Sequence, residues 1–228
     1  MFSSASKPII VFDLDGTLID TAPDLVATLN VVLMSEGLPA VPYQTARALI
    51  GGGAKAMISR GLAAEGRFVA PDKLEQLFTD FIAHYSTHIA DHSRPFPGLE
   101  RALDHFAANN YILAVCTNKL ERLSVLLLET LGLAKRFAAI CGQDTFGVQK
   151  PDPAILHRTI AAAGGDVGQA IMVGDSDTDI RTARAAGVPV IAVDFGYSET
   201  PVSEFLPDRL ISHFDDLPNA IAQFTSRK

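Results

Sequence analysis

Ile9-Ile10-Val11-Phe12-Asp13-Leu14-Asp15-Gly16-Thr17-Leu18 decides how this chain is read. Four apolar residues in a row have the composition of a short buried strand. The run then changes abruptly to two carboxylates, a glycine and a threonine. A strand that ends in acids and a glycine turn sets polar groups at the carboxyl edge of a parallel sheet, where open α/β sheets bind ligands. Asp13 and Asp15 are two positions apart, so an extended chain projects both to one side. Carboxylates so placed repel unless a cation joins them. An all-oxygen donor set suits Mg2+, and Mn2+ accepts the same ligands. The bland alternative is an Asp-Gly turn after a strand.

Later stretches weigh against that alternative. Tyr111-Ile112-Leu113-Ala114-Val115-Cys116 reads as a second buried strand and ends in Thr117-Asn118-Lys119. A hydroxyl, an amide and an ammonium there can donate to an anionic oxygen. Equally, Thr117 or Asn118 can cap the next helix, whose N-terminus itself favours an anion. Ala170-Ile171-Met172-Val173 is a third such strand, and it runs into Gly174-Asp175-Ser176-Asp177-Thr178-Asp179. This acidic cluster completes a cation site with Asp13 and Asp15. Acids at 175, 177 and 179 superficially match a calcium loop. However, Ile180 stands where that loop needs glycine, and Ala186 where it needs glutamate. Gly147-Val148-Gln149-Lys150-Pro151-Asp152-Pro153 brings a lysine to a loop before a helix. Its compact charge suits a phosphoryl group and neutralises nearby carboxylates. The two prolines restrict its backbone.

Between the first strand and the second, the pattern is helical. Thr21-Ala22-Pro23-Asp24 fits a capping box at the start of a helix carrying Leu25, Leu29, Val32 and Leu33, ended by Gly37 and Pro39. Further helices are expected over 42–49, over 54–64 after Gly51-Gly52-Gly53, and from Pro71 through Tyr85. No strand pattern appears from Thr21 to Asp91. Residues 18–94 therefore read as a small all-helical domain inserted into a core formed by 1–17 and 95–228. Arg94-Pro95-Phe96-Pro97-Gly98 reads as the return hinge. From Leu99 on, helices are expected over 99–109, 120–131, 153–163, 178–186 and 216–224. They alternate with strands over 111–116, 137–141, 170–173 and 188–193, which predicts βαβ units and a mostly parallel sheet. The tail Thr225-Ser226-Arg227-Lys228 is expected to fray.

Composition bounds the function. Hydrophobic residues make up 48% of 228, enough for a packed core, and the formal net charge is −7. An acidic chain has no general attraction for nucleic acid or an anionic membrane. It needs a local metal or lysine to hold an anionic substrate. The apolar run near the N-terminus is too short for a signal peptide or a membrane span. Cys116 and Cys141 read as free buried thiols, so a cytoplasmic protein is expected.

From charge alone, Asp13 serves as a carboxylate nucleophile toward phosphorus and Asp15 as the acid and then the base. A divalent ion relieves repulsion between the attacking carboxylate and the phosphate. Lys150 and Thr117 stabilise the transferring oxygens, and the insert excludes bulk water. These motifs resemble the haloacid dehalogenase superfamily, specifically its phosphoglycolate phosphatase branch. The carrying residues are Asp13-Leu14-Asp15-Gly16-Thr17, Thr117-Asn118, Lys150-Pro151 and Gly174 to Asp179, all in the family's order. The resemblance implies a Rossmann-like core with a helical cap. It implies Mg2+ on the Asp13 and Asp175 carboxylates and the Asp15 backbone oxygen. Asp179 would hold the lysine or a metal-bound water, with Thr17 and Ser176 beside it. It also implies a small phosphorylated metabolite as substrate, 2-phosphoglycolate first. Sugar phosphates, nucleotides, pyrophosphate, a mutase activity and a non-enzymatic phosphate-binding protein are the alternatives. Oligomeric state is open between monomer and homodimer.

Within the insert, Arg47 is a candidate for a substrate carboxylate. Gly51 and Gly52, with Gly53, can bring backbone N–H groups to an anion or serve as a bare hinge. Phe195-Gly196-Tyr197 resembles a late core loop of the same phosphatases. His84, His88 and His92 share a helical spacing, and with Asp91 a metal site is conceivable, although a polar helix face accounts for them. Phe68, Phe78, Phe81 and Tyr85 read as core of the insert.

Overall fold

A computed structural model describes residues 6–225. In chain order the elements are β1 (Ile9–Phe12), β2 (Ile19–Asp20), α1 (Ala22–Ser35), α2 (Tyr43–Arg47), α3 (Ala54–Ala64) and α4 (Pro71–Thr87). Then come β3 (Arg94–Pro95), α5 (Leu99–Ala108), β4 (Ile112–Cys116), α6 (Glu121–Thr130), β5 (Ala139–Cys141) and α7 (Pro153–Ala162). The last are β6 (Ala170–Gly174), α8 (Asp177–Ala185), β7 (Val190–Val193), β8 (Arg209–Ile211) and α9 (Leu217–Thr225). The expected fraying of 226–228, and the part of the leader reading that rests on 1–5, lie outside the described residues.

Six strands form one parallel sheet in the order β5-β4-β1-β6-β7-β8. The chain therefore leaves β1 toward one edge, returns, and builds toward the other. The carboxyl end of β1 lies at this switch point, where open α/β sheets form their ligand crevice. Alternation within the strands feeds two apolar layers. Ile10, Phe12, Val115, Val173 and Ile191 face one layer, which includes Leu103 and Phe106 of α5 and Ile221 of α9. Ile9, Val11, Ala114, Met172 and Val190 face the other, with Ile155 of α7 and Ile180 of α8. Burial on both faces explains why these strands read as unbroken apolar runs.

Helices α1, α3 and α4 pack on one another, with Leu29, Leu33, Met57, Leu77, Phe81 and Tyr85 buried. That cluster is continuous with the sheet layer containing Ile10 and Phe12. The two linkers to the insert are joined by an antiparallel pair, Ile19 opposite Pro95 and Asp20 opposite Arg94. Two residues are too few to show a strand period, so sequence reads only a hinge there.

Several local expectations are corrected. Thr21 is the N-cap of α1, but it forms no capping box. Its hydroxyl donates to Asp15 Oδ1 at 2.8 Å. Asp24 accepts instead from the backbone of His92 and Ser93 and from the Ser93 hydroxyl. A buried carboxylate gains more from three donors on the return linker than from one helix end. The capping box forms at Ser176 and Asp179, which open α8. The helix expected over 42–49 contracts to Tyr43–Arg47, and the strand over 137–141 to Ala139–Cys141. The edge strand β8 has three residues and carries no readable alternation. Phe68 is 85% exposed, not core, because it lies in the turn between α3 and α4.

Candidate active site

Three strand ends meet over one crevice. Asp13 follows β1, Thr117 follows β4, and Asp175 follows β6. The carboxylates of Asp13, Asp175 and Asp179 present oxygens within 4.8 Å of one another, all buried. This is the one potential metal-holding group of three or more acids, histidines or cysteines among the described residues. His84 on α4 and His88 at its C-cap stack at 4.4 Å, whereas His92 lies further along, and the histidine spacing gathers no such group.

Lys150 lies in the middle of the acids. Its Nζ is 2.8 Å from Asp13 Oδ1 and 2.6 Å from Asp179 Oδ1, and its side chain is 2% exposed. Asn118 braces it: its Oδ1 accepts from Lys150 N at 2.9 Å, and its Nδ2 donates to Lys150 O at 3.0 Å. The Asn118 amide is thereby committed to the lysine loop. Neither Thr117 nor Asn118 caps α6, whose N-cap is Leu120. Thr117 lines the crevice instead, and its Oγ1 accepts from Lys119 N.

Asp179 Oδ2 accepts from Ser176 N and Oγ. Asp175 accepts from Thr17 Oγ1 at 2.9 Å and from Tyr197 N at 2.9 Å. Gly16 and Gly196 press on it closely. A Cβ on either would lie 2.5 Å or less from the Asp175 side chain, so neither position has room for one.

Charge in this pocket is unbalanced. Three buried carboxylates face one buried ammonium. Burial, opposed by Lys150 and reinforced by Asp179, raises the Asp13 carboxyl to about 6. Burial, then Asp179 and Asp13, raise Asp175 to about 7, against the pull of Tyr197 N–H and Thr17. Burial alone would push Lys150 down, but Asp13 and Asp179 hold it above its ordinary value. A hard divalent cation fits this set: the donors are all oxygen, preassembled, and lack countercharge.

Asp15 is set apart from the cluster. Lys119 Nζ reaches both of its oxygens, at 3.0 and 3.2 Å, and Thr21 donates to one of them. The same Nζ donates to Tyr85 OH at 2.9 Å, on α4 of the insert. Lys119 is only the third residue of a polar strand end in sequence, and Tyr85 one member of an apolar stripe. Neither carries a local signal for this contact.

The crevice encloses about 410 Å³ between the sheet edge and the insert. Met57, Phe78, Phe81 and Tyr85 form an apolar wall over it. Gly51 and Gly52 line it too, and all of Gly51 to Gly53 take positive φ, so side chains there would be strained. Arg47 does not line it. Its Nη2 donates to the carbonyls of Phe195 at 3.3 Å and Gly196 at 2.7 Å, and the guanidinium lies 4.9 Å from the centre of the Tyr197 ring.

Residues 10–193 match a known family, described as haloacid dehalogenase-like hydrolase. The chain belongs to that family. Phosphoglycolate phosphatase of Mesorhizobium japonicum is 52% identical over 218 residues, covering 96% of each chain. The enzyme of that name from Agrobacterium fabrum is 46% identical over 221 residues, covering 97% of this chain and 95% of the other. Among solved structures, a predicted phosphoglycolate phosphatase from Haemophilus somnus superposes with a TM-score of 0.87 at 28% identity. It covers 96% of this chain and 99% of that one. Like other haloacid dehalogenase-like hydrolases, the chain joins a Rossmann-like parallel sheet to a helical insert, and it is a phosphatase. Among the described residues no helix is long and apolar enough to cross a membrane.

Proposed function

We propose that this phosphatase hydrolyses 2-phosphoglycolate to glycolate and phosphate through an aspartyl-phosphate on Asp13, with Mg2+ as its resident ion. The observation that carries the reading is the Asp13–Lys150–Asp179 contact beside Asp175 at the switch point. The names of its relatives support the substrate. An Asp13 oxygen attacks phosphorus while the bond to the leaving oxygen breaks. Asp15 gives the leaving oxygen its proton, then takes one from the water that hydrolyses the acyl phosphate. Lys150 and Thr117 meet the negative charge on the transferring oxygens. Asp13, Asp175 and the Asp15 backbone oxygen would hold Mg2+, which when bound supplies the countercharge missing from the acid cluster.

In this reading residues 18–94 are a cap over a core of 1–17 and 95–228, and the apolar wall from Met57 to Tyr85 excludes water. A cytoplasmic location and a monomeric or homodimeric state belong to the same proposal. The free buried thiols accord with the location. The test is Mg2+-dependent phosphate release across a panel of 2-phosphoglycolate, sugar phosphates, nucleotides and pyrophosphate. The highest kcat/KM is expected for 2-phosphoglycolate, and Asp13→Asn is expected to abolish turnover while leaving the fold intact. Near-normal kcat in that variant refutes covalent catalysis by Asp13.

A further inference from the structure

Asp175 is oriented by two donors that belong to different loops. Thr17 comes from the turn after β1, and the Tyr197 N–H comes from a segment that has left β7 and joins no other strand. That second segment is held from the insert. Arg47, at the end of α2, places its Nη2 2.7 Å from the Gly196 carbonyl oxygen and 3.3 Å from that of Phe195. The Gly196 carbonyl and the Tyr197 N–H belong to one planar peptide group. A cationic donor therefore sits on the oxygen end of the peptide whose hydrogen end points at Asp175 Oδ2. A charge-assisted bond at the carbonyl polarises the whole unit and strengthens the N–H as a donor.

The rest of Tyr197 is fixed as well. Its ring lies beneath the Arg47 guanidinium. Its hydroxyl donates to Asp20 Oδ1 of β2 at 2.7 Å and accepts from Ala22 N, at the start of α1, at 2.9 Å. Little slack remains around the carboxylate, because Gly16 and Gly196 lie against it.

We propose that Arg47 is a positioning residue for the metal ligand Asp175, acting through the Gly196–Tyr197 peptide rather than on substrate. The insert thereby sets the affinity of the acid cluster for its ion, and by linkage the bound ion favours the docked position of α2. This rests on the reading of Asp175 as a metal ligand.

The decisive experiment is calorimetric titration of the metal-free full chain with Mg2+ alone, comparing wild type with Arg47→Met. Methionine keeps an apolar stem against Tyr197 and removes every donor. The dissociation constant is expected to rise about tenfold, the lower end for partners behind the ligating shell. Arg47→Lys, which restores one donor, is expected to recover part of that loss and serves if the methionine variant does not fold. The ratio of kcat/KM for 2-phosphoglycolate to that for an alkyl phosphate without a carboxylate is expected to stay at the wild-type value. An Mg2+ constant within twofold of wild type in the folded variants overturns the proposal. A collapse of the substrate ratio without a change in that constant also overturns it and assigns Arg47 to the substrate. A wild-type chain that binds no Mg2+ overturns the metal reading itself, an outcome distinct from either.

Discussion

Stripping the protein of divalent ions and returning Mg2+ at two pH values tests the electrostatics of the acid cluster directly. With the ordinary carboxyl at 3.8, Asp13 is raised to about 6 and Asp175 to about 7. A folded-state pKa above the unfolded one means that the folded chain keeps its protons longer. The stability tied to those protons is fully present below pH 3.8 and is lost as pH rises through about 6 and about 7. At 1.36 kcal/mol per unit, the charged forms of this interacting pair disfavour the metal-free fold by on the order of several kcal/mol at pH 8. In the proposed site Mg2+ binds both carboxylates in their ionised form. At pH 8 they already are, and Mg2+ at 100 times its dissociation constant stabilises by about 2.7 kcal/mol. That is roughly 5–10 °C in Tm for a chain of this size. At pH 5 the ion must displace protons from groups at about 6 and about 7. Its affinity then falls well below that at pH 8. The same Mg2+ concentration then contributes far less, and the shift shrinks accordingly. The assay is a thermal melt with and without Mg2+ at each pH. Equal shifts at pH 5 and pH 8, or no shift at pH 8, would refute the account of an uncompensated carboxylate cluster.

Other residues yield sharper, smaller tests. Lys150→Met leaves Asp13 and Asp179 without their buried partner; Tm of the metal-free protein is expected to fall by roughly 10 °C, from the ~3–5 kcal/mol of a broken buried pair, and turnover is expected to be lost. An unchanged melt would show that the pair is not formed. Lys119→Met removes the ammonium that holds both Asp15 oxygens; kcat is expected to drop on the order of 100-fold with a smaller change in KM, and wild-type kcat would show that Asp15 works without it. Gly196→Ala adds a Cβ that would fall 2.3 Å from Asp175; Mg2+ affinity measured by calorimetry is expected to weaken at least tenfold, and unaltered affinity would show that the loop yields freely. Phe68→Ser, in an exposed turn, is expected to leave Tm within about 2 °C, since surface changes stay within ~0.5 kcal/mol; a larger fall would place that ring in a contact.

Local chemistry marked the strand ends that meet at the crevice. Four apolar residues ending in Asp13 and Asp15, and again four before Gly174-Asp175, have the composition of buried strands whose carboxyl ends leave polar groups at a sheet edge. Helix starts at Pro71 and Pro153, and the all-helical stretch between Thr21 and Asp91, follow from local propensity and period in the same way. The gathering of Asp13 with the acids after β6, and of Asp179 with Lys150, was expected, but other partner choices across the fold were out of reach of the sequence. Asp24 left its capping box for the Ser93 linker, Asn118 turned from an anion donor into a brace for Lys150, and Lys119 met Asp15 under Tyr85. Arg47 turned to the peptide beside Tyr197, with no local pattern to mark it. Local propensity depends on neighbours a few residues away, so it is written in the chain. A buried polar group takes whichever donor or acceptor packing brings within 3 Å, and packing brings together residues more than a hundred positions apart.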